Sequence, residues 1–248
     1  MTRDGAGASG HPGIDRRVAR AWTMGLWGGV FAWLWLSGEM TRYLGPRTYW
    51  VAPFGALALG GAALATAIGA RHAEERTGLS LSDACRFGVL LLPLAAMVAA
   101  PGAQLGSQAA ANKAPAGILA GAAAAVPGTP ATGPVGFRDI YYAGQSEAYA
   151  LERGISDRTG VKLTGFITHP PDIPEGYFAL TRFYVSCCAA NAIPYSVTVN
   201  PSGPLVPNAY PDDRWLEVRG QLVQTDAGFT LMPHSSRVVK APDDPYLY

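Results

Sequence analysis

Two cysteines, Cys187 and Cys188, stand side by side in "LTRFYVSCCAANAIPYSVTV", Leu180 to Val199, and the chain holds only one more, Cys85. Four chemistries are open to such a pair. They can be small buried groups that behave as hydrophobes, ligands to a metal, partners in a vicinal or intermolecular disulfide, or a nucleophile. Adjacent Cα atoms lie about 3.8 Å apart, below the usual disulfide span. A Cys187–Cys188 disulfide is therefore strained and needs a turn, which the following "AANAIP" can supply. A nucleophilic thiol needs a positioned base, and no histidine lies near Cys187 in sequence.

A metal needs more ligands. His169 follows the first strand of this region and His234 follows the last. With Cys187 and Cys188 they make a Cys2His2 set suited to zinc, at a spacing that matches no standard finger or knuckle. No motif establishes a cofactor, and zinc is the ion the residue types suit best. His11 and His72 have no plausible partners. Arg182 shares the strand with the cysteines, on the face of Tyr184 and Ser186, where an ion pair at the surface or core edge is expected.

The elements that must carry these residues lie in 137–248. Apolar and polar residues alternate over Val161–Thr168, Tyr177–Ser186, Tyr195–Val199, Trp215–Gln224 and Gly228–Pro233, which predicts five strands. The stretch 138–158 reads as helical. Gly165 and Gly220 interrupt two strands at mid-length, where a sheet bends to curl on itself. The pattern predicts a small mostly-β domain, an OB-like barrel or a sandwich.

The other half has a different composition. The 248-residue chain is 15% charged with a formal net charge of +1. That charge is low for a soluble domain and gives no footprint for nucleic acid. Three stretches lack charge for long enough to cross a bilayer, at about 21–39, 48–70 and 87–106. Pro93 and Pro101 predict a bend in the third. The first stretch is too long for a signal h-region, and no small-x-small cleavage site follows directly. Arginines flank the first stretch at 3, 16, 17 and 20 and occupy 71–86 at 71, 76 and 86, against Arg42 and Arg47 in the intervening loop. The bias places the 1–20 tail inside and everything after the third span outside. Gly55, Gly60, Gly61 and Gly69 give the second span a small-residue surface for helix association or merely an alanine-rich composition. No span carries an ionisable side chain of the kind that marks an ion path, so the chain is not expected to be a pump by itself. An Ala/Pro/Gly-rich linker over 107–136 separates the two halves.

Four stretches, "RYLGPR", "PGAQLGSQAAANK", "VKLTGFI" and above all "LTRFYVSCCAANAIP", resemble the YcgQ-like family of bacterial membrane proteins, and the likeness runs along essentially the whole chain. The resemblance implies an accessory, non-enzymatic subunit acting in the bacterial cytoplasmic membrane beside a separate multi-span permease. It implies a C-terminal domain of unknown function, here 137–248, which the charge bias places on the outer face, and carries over Arg182, Cys187, Cys188 and, by position, Asn191. The family pattern has aspartate where this chain has Asn191, which bears against any role needing a carboxylate there, though asparagine can still accept a hydrogen bond or hold a left-handed turn. Two other functions stay open on the residues alone: an extracytoplasmic zinc-binding or delivery module, and a thiol-dependent enzyme on the outer face.

Overall fold

In the computed structural model, the described residues are 15–72, 78–99, 105–113, 133–201, 211–226 and 228–248. His11, Pro101 and linker residues 114–132 fall outside them. The chain divides into two compact units: a helical one from Met1–Met40 and Arg47–Ala103, and a barrel one from Thr41–Pro46 and Gln104–Tyr248.

The helical unit holds α1 (Arg16–Ser37), α2 (Val51–Arg71) and α3 (Leu81–Ala99). Asp15 caps α1 by accepting the Arg17 N–H at 2.9 Å, and Gly38 ends it in the left-handed region at φ 75°. Each expected span thus corresponds to a helix, but among the described residues one segment rather than three, Pro46–Arg71, is long and apolar enough to cross a membrane. α1 opens with Arg16, Arg17 and Arg20 before Trp22 and Thr23, and α3 opens with Ser82, Asp83 and Arg86. Pro93 sits inside α3.

Small residues bring α1 and α2 together. A Cβ on Gly28 would lie 3.0 Å from the Gly60 nitrogen, and one on Gly55 would lie 3.0 Å from the Phe31 ring. Gly61 and Gly69 face open space. Part of the small-residue surface expected of the second span is therefore used within this chain.

The barrel unit closes five strands in the order β1-β2-β3-β5-β4. They are β1 (Gly160–Thr168), β2 (Phe178–Tyr184), β3 (Ile193–Val199), β4 (Trp215–Thr225) and β5 (Gly228–Val238). All pairs are antiparallel except β3 with β5, whose short parallel contact at Thr198–Thr230 and Val199–Leu231 completes the cylinder. Leu163, Ile167, Leu180, Val197, Leu216, Val218, Leu222 and Leu231 fill the interior.

Both mid-strand glycines sit where a side chain has no room. A Cβ on Gly165 would approach the Thr181 oxygen to 2.7 Å, and one on Gly220 would overlap the Met232 carbonyl. Gly220 also marks a bulge: Arg219 pairs with Ser235 while Gly220 pairs with Pro233, so His234 is the extra residue. That bulge explains why β5 runs beyond Pro233, where the proline reads as a strand end in sequence. Closure by parallel pairing excludes the sandwich.

The helical stretch before the barrel is two helices, labelled α5 and α6, rather than one: Phe137–Gln145 and Glu147–Arg153. Ser146 separates them in extended backbone, and its hydroxyl accepts the Tyr149 N–H at 3.3 Å. Phe137, Ile140, Tyr142 and Tyr149 project from them into the barrel core. Residues 107–113, grouped with the linker by composition, are helical (α4) and belong to the barrel unit.

Candidate functional site: the cysteine corner

β2 is pulled straight to its end by burial. Phe183 and Val185 are fully buried and pack with Phe166, Ala110, Ala192 and Tyr246 in a second small core beside the main one. The chain then turns outward at Ser186, and Cys187 and Cys188 are half-buried. A single 3-10 turn, Ala189–Asn191, follows and returns the chain into β3.

This turn fixes the thiols. Cys187 Sγ and Cys188 Sγ lie 3.7 Å apart, as two thiols rather than a disulfide. The Asn191 side-chain amide donates to Cys187 Sγ at 3.4 Å. That donor, followed by the neighbouring Cys188 thiol, holds the Cys187 thiol below its ordinary range, because a hydrogen bond to the thiolate favours the charged form. Asn191 therefore acts as a donor to sulfur, a role an aspartate in that place would not fill.

Two segments from elsewhere in the chain complete the corner. Residues 43–45 run antiparallel to 187–189: the Gly45 N–H donates to the Cys187 carbonyl and the Ala189 N–H to the Tyr43 carbonyl, each at 2.9 Å. A Cβ on Gly45 would lie 3.0 Å from the carbonyl oxygens of both Val185 and Ser186, so the close approach of the two backbones requires glycine. From the other side, α4 lays buried Ala110 against the small core. Lys113 Nζ, at the end of the described part of α4, donates to the Ala190 carbonyl at 2.6 Å. At the start of α4, the Ser107 N–H and hydroxyl bind the Asp213 carboxylate.

Among the described residues Arg182 makes no ion pair of the expected kind. Its guanidinium donates to the carbonyls of Asp244, Pro245 and Tyr246 at 2.7, 3.1 and 3.4 Å and stands 6.0 Å from the Trp215 ring centre. Burial pushes its pKa down. The contacts seat the C-terminal segment along β2, where Leu247 exchanges backbone hydrogen bonds with Phe183 and Val185. Tyr246, held there, donates its hydroxyl to the Arg42 carbonyl at 3.1 Å.

Residues 147–248 match the sequence profile of the DUF1980 C-terminal domain. No curated protein matches the chain. The DUF1980 C-terminal domain contains the barrel, the cysteine corner and the C-terminal segment, and its presence is consistent with the YcgQ-like resemblance. It does not reach 43–45 or α4.

The four-ligand zinc set is not assembled. Among the described residues no three His, Cys, Asp or Glu side chains converge. β1 and β2 are antiparallel, with Thr168 beside Ala179. His169 therefore lies beside the start of β2 and the cysteines beyond its end, with the length of that strand, roughly 20 Å at strand rise, between them. The His169 ring instead meets Asp212 at 2.7 Å. His234 is exposed on β5, which is not a neighbour of β2. The same placement leaves both histidines too far to act as base for Cys187.

The segments that sequence reasoning missed as parts of the site are 43–45, Lys113 and Tyr246. Their signal was present: "RYLGPR" and "PGAQLGSQAAANK" carry the family resemblance together with the cysteine block, and all three converge at one corner of the barrel.

Proposed function

We propose that this chain is a non-enzymatic subunit of a two-component permease in the bacterial cytoplasmic membrane. Its helices span the membrane three times, with the N-terminus inside and the barrel, an OB-like module, on the outer face. The barrel binds or presents a ligand to a separate multi-span permease, or gates it. The observation that carries this reading is the pairing of 43–45 with 187–189. The short connection between α1 and α2 is hydrogen-bonded into the cysteine corner, so a change at the thiols is felt by a segment covalently continuous with the helices. The DUF1980 C-terminal domain and the apolar Pro46–Arg71 segment support the same reading.

Affinity capture of the full chain from detergent tests it. A multi-span membrane protein should co-purify stoichiometrically, and a reporter active only in the cytoplasm should be silent when fused after Tyr248. Capture of the chain alone under mild detergents removes the subunit reading, and an active reporter reverses the orientation.

A further inference from the structure

The geometry points to a metal site at the cysteine corner: we propose that Cys187 and Cys188 together capture one thiophilic divalent cation of the zinc class, through two thiolates and exchangeable outer ligands. The inference rests on the subunit reading for its purpose, since it names the ligand that the barrel would present, but its chemistry stands on the corner alone.

Sulfur spacing is the first support. Two thiolates bound to one tetrahedral ion at about 2.3 Å sit roughly 3.7–3.8 Å apart, and the two Sγ atoms here are 3.7 Å apart. The cation needs no rearrangement of the backbone. A disulfide does: the sulfurs would have to close to about 2.05 Å across the peptide bond whose carbonyl, on Cys187, receives the Gly45 N–H. The 43–45 segment holds the backbone on both sides of that peptide bond, through the Gly45 and Tyr43 hydrogen bonds.

Access and protonation are the second support. Both cysteines are half-buried rather than enclosed, and the Asn191 amide is already aimed at Cys187 Sγ. Such an outer-shell donor orients a ligating sulfur and lowers the cost of its ionisation. Binding one dication at two thiols forms two metal–sulfur bonds and releases up to two protons to solvent.

The third support is incompleteness. No third His, Cys, Asp or Glu joins the pair among the described residues. A structural zinc site closes all four positions, whereas a site with two protein ligands leaves positions for water or for ligands from another protein. Two-ligand capture matches a cation that is to be handed on.

Cobalt(II) titration of the full chain in detergent, after phosphine reduction and with thiol content verified by alkylation, tests the site. The expected result is a thiolate-to-cobalt absorption band that saturates at one ion per chain and is displaced by zinc. Cys187→Ser and Cys188→Ser should each abolish the band, while Cys85→Ser leaves it intact. Asn191→Ala should weaken binding about 10-fold, at the lower end for an outer-shell hydrogen bond. Absence of the band, its survival in the Cys187→Ser and Cys188→Ser variants, or one ion per two chains overturns the site. Loss of the site with retained permease capture leaves the subunit reading standing. A saturable band with no co-purifying membrane protein leaves the site standing and removes that reading.

Discussion

The Gly45 amide donates to the Cys187 carbonyl at 2.9 Å, tying the connection between α1 and α2 to the thiol pair. A methyl group at Gly45 would press on the carbonyls of Val185 and Ser186, at 3.0 Å each. These are backbone atoms at a strand end and cannot rotate away as a side chain would. Gly45→Ala should destabilise the corner by about 1–3 kcal/mol, the usual range for overpacking. Amide exchange over 186–192 should accelerate, because the Ala189 N–H loses the Tyr43 carbonyl. Unchanged exchange there would show that 43–45 does not hold the corner.

Glu217 provides a pH test of the barrel wall. Its carboxylate is largely buried on β4 and receives Arg237 at 2.9 Å and Lys162 at 3.1 Å. The hydrogen bond from Arg237, with those cations close by, holds the carboxyl at about 2 against an ordinary 4.5. A depressed folded-state pKa gives stability that is complete above the unfolded value and lost as pH falls through the folded one. The barrel should therefore lose stability between about pH 4.5 and pH 2, and Glu217→Gln should flatten that slope while lowering stability at neutral pH. Denaturant midpoints across this window decide the point. A Glu217→Gln slope as steep as the parent's would assign the acid sensitivity to other groups.

The barrel was legible in sequence because its determinants are local. Alternation placed all five strands, and Gly165 and Gly220 announced the bends, since only a residue without Cβ fits against the Thr181 and Met232 carbonyls. What escaped was long-range. Pro233 looked like a strand terminus, and only the pairing around His234 shows the bulge that carries β5 past it. Residues 107–113 are small and alanine-rich, a composition shared by tethers and by helices that pack closely; the buried Ala110 decides for the helix. Segment 43–45 has no periodicity to read, because a three-residue ribbon is shorter than any pattern. The zinc set failed for a related reason: sequence placed His169 at a strand end without saying which end faces the cysteines.

Thiol reactivity separates the two cysteines. Cys187 receives the Asn191 amide and has its pKa lowered by that contact first. The thiolate is the reacting species, so Cys187 should alkylate faster than Cys188 near neutral pH. Asn191→Ala should slow Cys187 several-fold and leave Cys188 little changed. Mass-spectrometric mapping of a timed iodoacetamide reaction reads both sites. Preferential labelling of Cys188, or indifference to Asn191→Ala, would remove the amide as the cause.

Arg182 seats the C-terminus, and its replacement should release that segment before it unfolds the barrel. Three consecutive carbonyls, on Asp244, Pro245 and Tyr246, converge on one planar guanidinium. A lysine ammonium has no comparable fork. Arg182→Lys should therefore retain the charge but fail to hold the three acceptors together. Hydrogen bonds to a charged group contribute about 1.5–3 kcal/mol, so Arg182→Met should cost roughly that and Arg182→Lys less. Loss of the seat also loosens Tyr246, which donates to the Arg42 carbonyl and so holds the start of the 41–46 connection. Limited carboxypeptidase digestion of the full chain should trim residues 244–248 faster in both variants, with the barrel's far-ultraviolet dichroism retained. Trimming at the parent rate would mean that the Leu247 backbone pairing alone secures the segment, and that Arg182 serves the packing of Trp215 instead.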